Sequence, residues 1–227
     1  RLLDDLSIDI DDLSSKINPN TRVVFIMHYF GALQPIETLI QISDIRKRND
    51  FMIIEDTTHS LFSSLQTIGD YCVCSLRKWF AIPDGGILYS VKPLKGLNIQ
   101  DLNRNTRIEK IYGMILKTLY LDGKLESNSL YRKILIESER KMYENEKIER
   151  ISSLSEWILK CFNTKSLIAR RKENYTHLLN DITKLGLNSV VNVEDEWCPF
   201  ALPIKMEERD SLKEYLIENR VYCAVHW

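Results

Sequence analysis

Three short runs constrain this chain more than anything else in it. RVVFIMHYF (22–30), FMIIED (51–56) and YCVCSL (71–76) are apolar almost throughout and rich in β-branched or strand-forming residues. Such continuous runs are expected of strands buried on both faces. A fourth, GILYSV (86–91), follows them. Between the first two lies PIETLIQISDIRKRND (35–50), where Ile36, Leu39, Ile40, Ile42 and Ile45 recur at helical spacing. Pro35 occupies its first turn and basic residues gather in its last. Strand, helix and strand in that order predict an α/β fold, a mostly parallel sheet flanked by helices. A short helix is also expected within IDIDDLSSKINPNT (8–21), where Leu13 and Ile17 stand four apart.

The character changes after Gly96. Residues 101–185 are mostly helical in pattern, and the charged run ESERKMYENEKIER (137–150) reads as a solvated helix with internal ion pairs. The helix TKSLIARRKENYTHLLNDI (164–182) leads to PFALPIKM (199–206), EERDSLKEYLIENR (207–220) and VYCAVHW (221–227). These last three predict strand, helix and strand, part of a small C-terminal α/β domain. The division expected is a large domain over 1–160 and the small one over 161–227.

Composition narrows the class of function. With 44% hydrophobic residues and a net charge of -1, the chain has ordinary globular content and no electrostatic case for nucleic acid or an anionic membrane. No apolar run approaches the roughly 18–20 residues of a spanning helix, and no signal-peptide pattern opens it. Five Cys without a secretory signal are expected as reduced thiols of a cytoplasmic protein. Cys72 and Cys74 lie in an apolar strand pattern with no second ligand pair, so buried thiols rather than a metal site are expected there. The chain opens on Arg1 and closes on Trp227 directly after an apolar run, which reads as a piece of a longer protein or a short gene product.

In an open α/β sheet, ligands bind beyond the carboxyl ends of the strands. His28 closes the first strand, Asp56 the second, and Ser75 to Lys78 follow the third, so these residues are expected on one rim. A Lys and an Asp on such a rim suit pyridoxal phosphate chemistry. The Lys amine forms a Schiff base with the cofactor aldehyde, and a carboxylate facing the pyridine nitrogen keeps it protonated. Hydroxyl and backbone N–H donors hold the phosphate, a role that suits Ser75.

The ordered segments VVFIMHYFG, MIIEDTTHS and GDYCVCSLRKWFAIPDGGILYS resemble the large domain of fold-type-I pyridoxal phosphate enzymes, most closely the DegT/StrS-type sugar aminotransferases. That family shows His-x-x-Gly after a buried strand, then Glu-Asp-x-x-(Gln/His), then Gly-Asp before a strand, then Ser, Lys and an acidic-Gly-Gly turn. The resemblance implies Asp56 as the pyridinium partner, His59 as the polar residue beside the ring, Ser75 on the phosphate and Lys78 as the Schiff-base Lys. It implies the turn Asp84-Gly85-Gly86 behind the cofactor and, more weakly, His28 near the ring hydroxyl. LIARRKENYTHLL (167–179) is similar to the helix leading into the family's small domain. The chain departs from the family in its short spacing between Ser75 and Lys78 and in lacking a Gly-Tyr-Asn-x-Arg match near 145–157. An N-terminal phosphate loop with a stacking aromatic, and the last small-domain helix, are also expected in the family and absent here.

By resemblance, the chain is expected to be an aminotransferase that uses pyridoxal 5'-phosphate to move an amino group from glutamate to a keto sugar nucleotide, acting as a homodimer in polysaccharide biosynthesis. Related sugar dehydratases carry His at the Lys position, so Lys78 favours amino transfer. Two alternatives stay open: a catalytically incomplete homologue serving as a non-enzymatic partner, and another fold-type-I activity such as a lyase or desulfurase.

Overall fold

The computed structural model describes residues 1–63, 67–101, 104–145 and 147–226. Four strands, β1 (Val23–Met27), β2 (Met52–Asp56), β3 (Tyr71–Ser75) and β4 (Gly86–Tyr89), form one sheet in that order. β1 pairs with β2 in parallel, Val23 opposite Met52 and Met27 opposite Asp56, and β2 pairs with β3 in parallel. β4 returns antiparallel with Gly86 opposite Ser75. This register sets Met27 level with Asp56 and Asp56 level with Val73, so the three parallel strands end on the same rim, with β3 running two residues further to Ser75.

Helix α1 (Ile10–Lys16) begins where the Asp9 carboxylate accepts the Asp12 N–H at 3.0 Å, satisfying a first-turn donor. Helix α2 (Ile36–Lys47) begins after Pro35 and carries Arg46 and Lys47 in its last turn, where cations oppose the negative end of the helix dipole. Leu39 and Ile42 of α2 pack with Val24, Ile26, Phe51 and Ile53, and Leu13 and Ile17 close this core from the α1 side.

The strands differ from expectation on one point. Only one face of the sheet is shut: Val24, Ile26, Ile53, Cys72 and Cys74 are buried, while Phe25 is 56% exposed and Val23 and Met52 are exposed beside it. Both α1 and α2 pack against the same side, so alternation along each strand turns every second side chain outward. An apolar run shows that a residue tolerates burial, not that both faces are covered.

The rest of the described chain is helical: α3 (Arg104–Leu121), α4 (Ser129–Glu144), α5 (Ser153–Cys161), α6 (Thr164–Lys184) and α7 (Arg209–Glu218). The charged run is helical only as far as Glu144. Arg140 does pair with Glu137 and Glu144 on its exposed side. Glu139, however, faces inward to Arg77 and the buried Lys110, so this helix is more than a solvated face. A second core joins Leu76, Trp79, Phe80, Ile82 and Cys198 to Ile158 of α5 and Leu167 and Ile168 of α6.

At the C-terminal end the helix at 207–220 forms as α7, but neither flanking strand does. PFALPIKM makes one isolated bridge, Ile204 with Ser189, and 221–226 has no regular structure. The Phe200 N–H is spent on the Phe30 carbonyl at 2.9 Å, and the Pro203 carbonyl accepts from Val190. The run therefore docks onto other loops, and no ladder partner lies beside it among the described residues. No helix of the described chain is long and apolar enough to cross a membrane.

Candidate functional site

The turn SLRKWFAIPDGG leaves β3 through a single 3-10 turn, Leu76–Lys78, and re-enters the sheet at Gly86. Each end is fixed. Trp79 is buried, its indole N–H donates to the Thr58 carbonyl at 2.5 Å, and its ring meets Phe62 edge-on at 5.0 Å. The Arg171 guanidinium lies 4.6 Å from the Trp79 centroid, a cation–π contact made in a partly buried setting. At the far end the buried Asp84 carboxylate accepts from the Ser152 N–H (3.0 Å), the Ser152 hydroxyl (2.7 Å), the Ser155 hydroxyl (2.5 Å) and Arg107 Nε (2.9 Å). Gly85 has φ +125°, a conformation that calls for glycine, and a Cβ there would stand 2.9 Å from the tip of the Ile151 side chain, which would have to give way.

Arg77 anchors the middle of the turn, Nη1 donating to both Glu139 oxygens at 2.7 and 2.8 Å. Its neighbour Lys78 is exposed, and its amine makes no hydrogen bond or ion pair among the described residues. The frame around Lys78 is held while the amine itself is left available.

Asp56 ends β2, and its carboxylate accepts the Thr58 N–H at 2.8 Å. The Ser75 N–H donates to the Thr58 hydroxyl at 3.0 Å, so β2 and the Lys78 turn are tied directly. The His59 ring is buried against Phe200 (centroids 4.2 Å, 12° between planes) and Phe30 (5.5 Å, 29°). Burial pushes its imidazole down to about 4. The Asp56 charge works the other way, and Lys78 and His226 add to the fall. Asp56, His59 and Lys78 thus share one electrostatic neighbourhood. Tyr29 is also near enough that burial, and then the Asp56 charge, raise its hydroxyl pKa.

His28 stands apart from this group. Alternation along β1 turns it to the covered face of the sheet, the opposite side from Asp56. There it is fully buried, with Nδ1 accepting the Gln34 N–H at 3.0 Å and Nε2 facing Glu55 Oε2 at 2.9 Å. An Nδ1 that accepts leaves the proton on Nε2, so the Nε2–H donates to Glu55. Glu55 also takes the N–H groups of Ile68, at 2.5 Å, and Gly69. With both ring nitrogens engaged, His28 ties the end of β1 to Glu55 of β2 and to the loop before α2, and Glu55 in turn holds the loop before β3.

Four contributors went unread in the sequence. Thr58 was legible in principle as a hydroxyl inside Glu-Asp-Thr-Thr-His. Glu139 lies 62 residues from its partner Arg77 and Phe200 141 residues from its partner His59, with Arg171 between them in sequence, and no local pattern announces such contacts. A cavity of about 670 Å³ lies to one side, lined by Tyr29, Trp197, Asp5, Glu37, Glu194 and Glu196 among others. Tyr29 is its link to the Asp56 side. No group of three His, Cys, Asp or Glu suited to a metal ion gathers among the described residues.

Residues 3–92, which hold every element of this site except Arg171, Phe200, Glu139 and the Asp84 partners, match the model of the DegT/DnrJ/EryC1/StrS aminotransferase family. No curated protein sequence matches the chain. Among solved structures it is similar to DesV of S. venezuelae in complex with a ketimine intermediate (16% identity, TM-score 0.59, 97% of this chain and 54% of that one). It is similar also to the sugar aminotransferase CalS13 from Micromonospora echinospora (17%, 0.55, 96% and 57%). A third likeness is to the E coli GDP-4-keto-6-deoxy-D-mannose-3-dehydratase with bound hydrated PLP (16%, 0.51, 97% and 57%). At these identities the likeness establishes the fold, and the chain spans a little over half the length of each.

Proposed function

We infer that this chain carries the cofactor side of a pyridoxal-phosphate-dependent aminotransferase, one that moves an amino group from glutamate to a keto sugar nucleotide. The observation that carries the reading is the Lys78 amine: unpaired among the described residues, on a turn clamped by Arg77, Trp79 and Asp84, and close enough to His59 for its charge, like that of Asp56, to act on the ring. The residues fit the cofactor's needs in type. Lys78 offers a free amine, Asp56 a carboxylate at the end of a parallel strand, and Ser75 a half-buried hydroxyl beside them. When bound, pyridoxal phosphate supplies the electron sink that stabilises a carbanion at the substrate's Cα.

The chain's own groups divide the remaining work. The Asp56 carboxylate, oriented by the Thr58 N–H, holds a proton at the pyridine nitrogen. Lys78 moves a proton at the substrate carbon. The Phe30, Phe200 and Trp79 cluster keeps water from the side where His59 sits. Lys at 78, where resembling dehydratases have His, favours transfer over dehydration. A homodimer in the cytoplasm belongs to the same reading.

The test is a half-reaction. Protein loaded with pyridoxal phosphate is mixed with glutamate alone, and the visible spectrum and released 2-oxoglutarate are followed. Stoichiometric 2-oxoglutarate, with a spectral change reversed by a keto sugar nucleotide, is expected. Loaded protein that is inert to glutamate, or that eliminates water from the sugar, contradicts the reading.

A further inference from the structure

Thr58 makes three bonds to three different parts of the site. Its N–H donates to the Asp56 carboxylate at 2.8 Å, its hydroxyl accepts the Ser75 N–H at 3.0 Å, and its carbonyl accepts the Trp79 indole N–H at 2.5 Å. The first bond orients the carboxylate that closes β2. The other two hold the turn on either side of Lys78, one residue past it at Trp79 and three before it at Ser75. Two of the bonds use Thr58 backbone atoms and survive any side-chain change, whereas the bond to Ser75 exists only because residue 58 bears a hydroxyl. The residue is buried, 8% exposed, so water offers the Ser75 N–H no ready replacement.

We propose that Thr58 is a positioning residue that sets the spacing between Asp56 and Lys78, its hydroxyl fixing the start of the Lys78 turn against the end of β2. The functional half of this inference rests on the aminotransferase reading. A cofactor that engages a carboxylate at one end and an amine at the other senses that spacing directly, and a displacement of the order of an ångström at either anchor is enough to weaken productive engagement.

The experiment compares wild type with Thr58→Val, which keeps shape but loses the hydroxyl, and Thr58→Ser, which keeps the hydroxyl. Two quantities are read: amide hydrogen exchange at Ser75 without cofactor, and pyridoxal phosphate affinity from absorbance titration. Faster Ser75 exchange in the Val variant is expected, with affinity about tenfold weaker, the size expected for one lost buried hydrogen bond. The Ser variant is expected to match wild type in both. Unchanged Ser75 exchange in the Val variant overturns the proposal, as does wild-type affinity in that variant or a Ser variant as impaired as Val. If wild-type protein takes up no cofactor, the aminotransferase reading fails by itself. The tie is then judged on exchange alone, where faster exchange in Val and wild-type exchange in Ser sustain it and any other pattern overturns it.

Discussion

His59 leaves a pH signature that can be read without cofactor. In the unfolded chain its imidazole takes up a proton near 6.5, whereas in the folded site it resists until about 4, because it is buried among Phe30 and Phe200 with Lys78 and His226 nearby, Asp56 offsetting only part of this. Between these values the unfolded state binds more protons, so stability falls as pH drops from about 6.5 towards 4 and is indifferent to His59 above that window. The full extent is about 3 kcal/mol. Urea unfolding at pH 7 and pH 5 checks it: His59→Gln should remove most of the acid-side loss, and an unaltered pH dependence would contradict the burial argument. Asp84 gives a larger effect of another origin. Replacing it with Ala leaves Arg107 with Glu149 alone and takes the carboxylate acceptor from two buried serine hydroxyls and the Ser152 N–H, a combined loss of about 3–5 kcal/mol in thermal or chemical denaturation. A change below about 1 kcal/mol would show that these bonds do not hold the turn.

Among the elements, the turn between β3 and β4 depends on partners that local sequence does not reveal. Arg77→Leu removes the bond to α4 and leaves Glu139 with Lys110 alone. The expected outcome is a destabilisation of about 1–3 kcal/mol together with faster proteolysis within 76–86, and equal proteolysis rates would refute the tether. Gly85→Ala forces a side chain into φ +125° and against Ile151, which should lower stability by about 1–3 kcal/mol. Strands β1 to β4 and helices α1, α2, α6 and α7 were legible because apolar spacing, Pro35 and Asn-Pro-Asn are local signals. The strands read into 199–206 and 221–227 were not, since a strand exists only where a ladder partner stands beside it, and Phe200 instead bonds to Phe30. Lys78, Asp56, His59 and Ser75 are expected as a set from their order along the chain, and the end of β2 and the turn after β3 place them on one rim. Missing from that order was which face each occupies, and the face is what separates His28, bonded to Glu55, from Asp56 one strand away.

For the whole molecule, the sheet does two jobs. Its covered side makes the core with α1 and α2, and its carboxyl rim presents Asp56 and the Lys78 turn, which α4, α5 and α6 brace from outside. The proposal on which the rest depends is that this frame keeps Lys78 for a cofactor. It can be read at the residue itself, by incubating the protein with pyridoxal phosphate, reducing with borohydride, digesting and mapping by mass spectrometry. One stoichiometric adduct on Lys78 is expected, lost in Lys78→Ala and sharply weakened in Asp56→Ala. Labelling scattered over the chain's other lysines, or undiminished in Lys78→Ala, would contradict it.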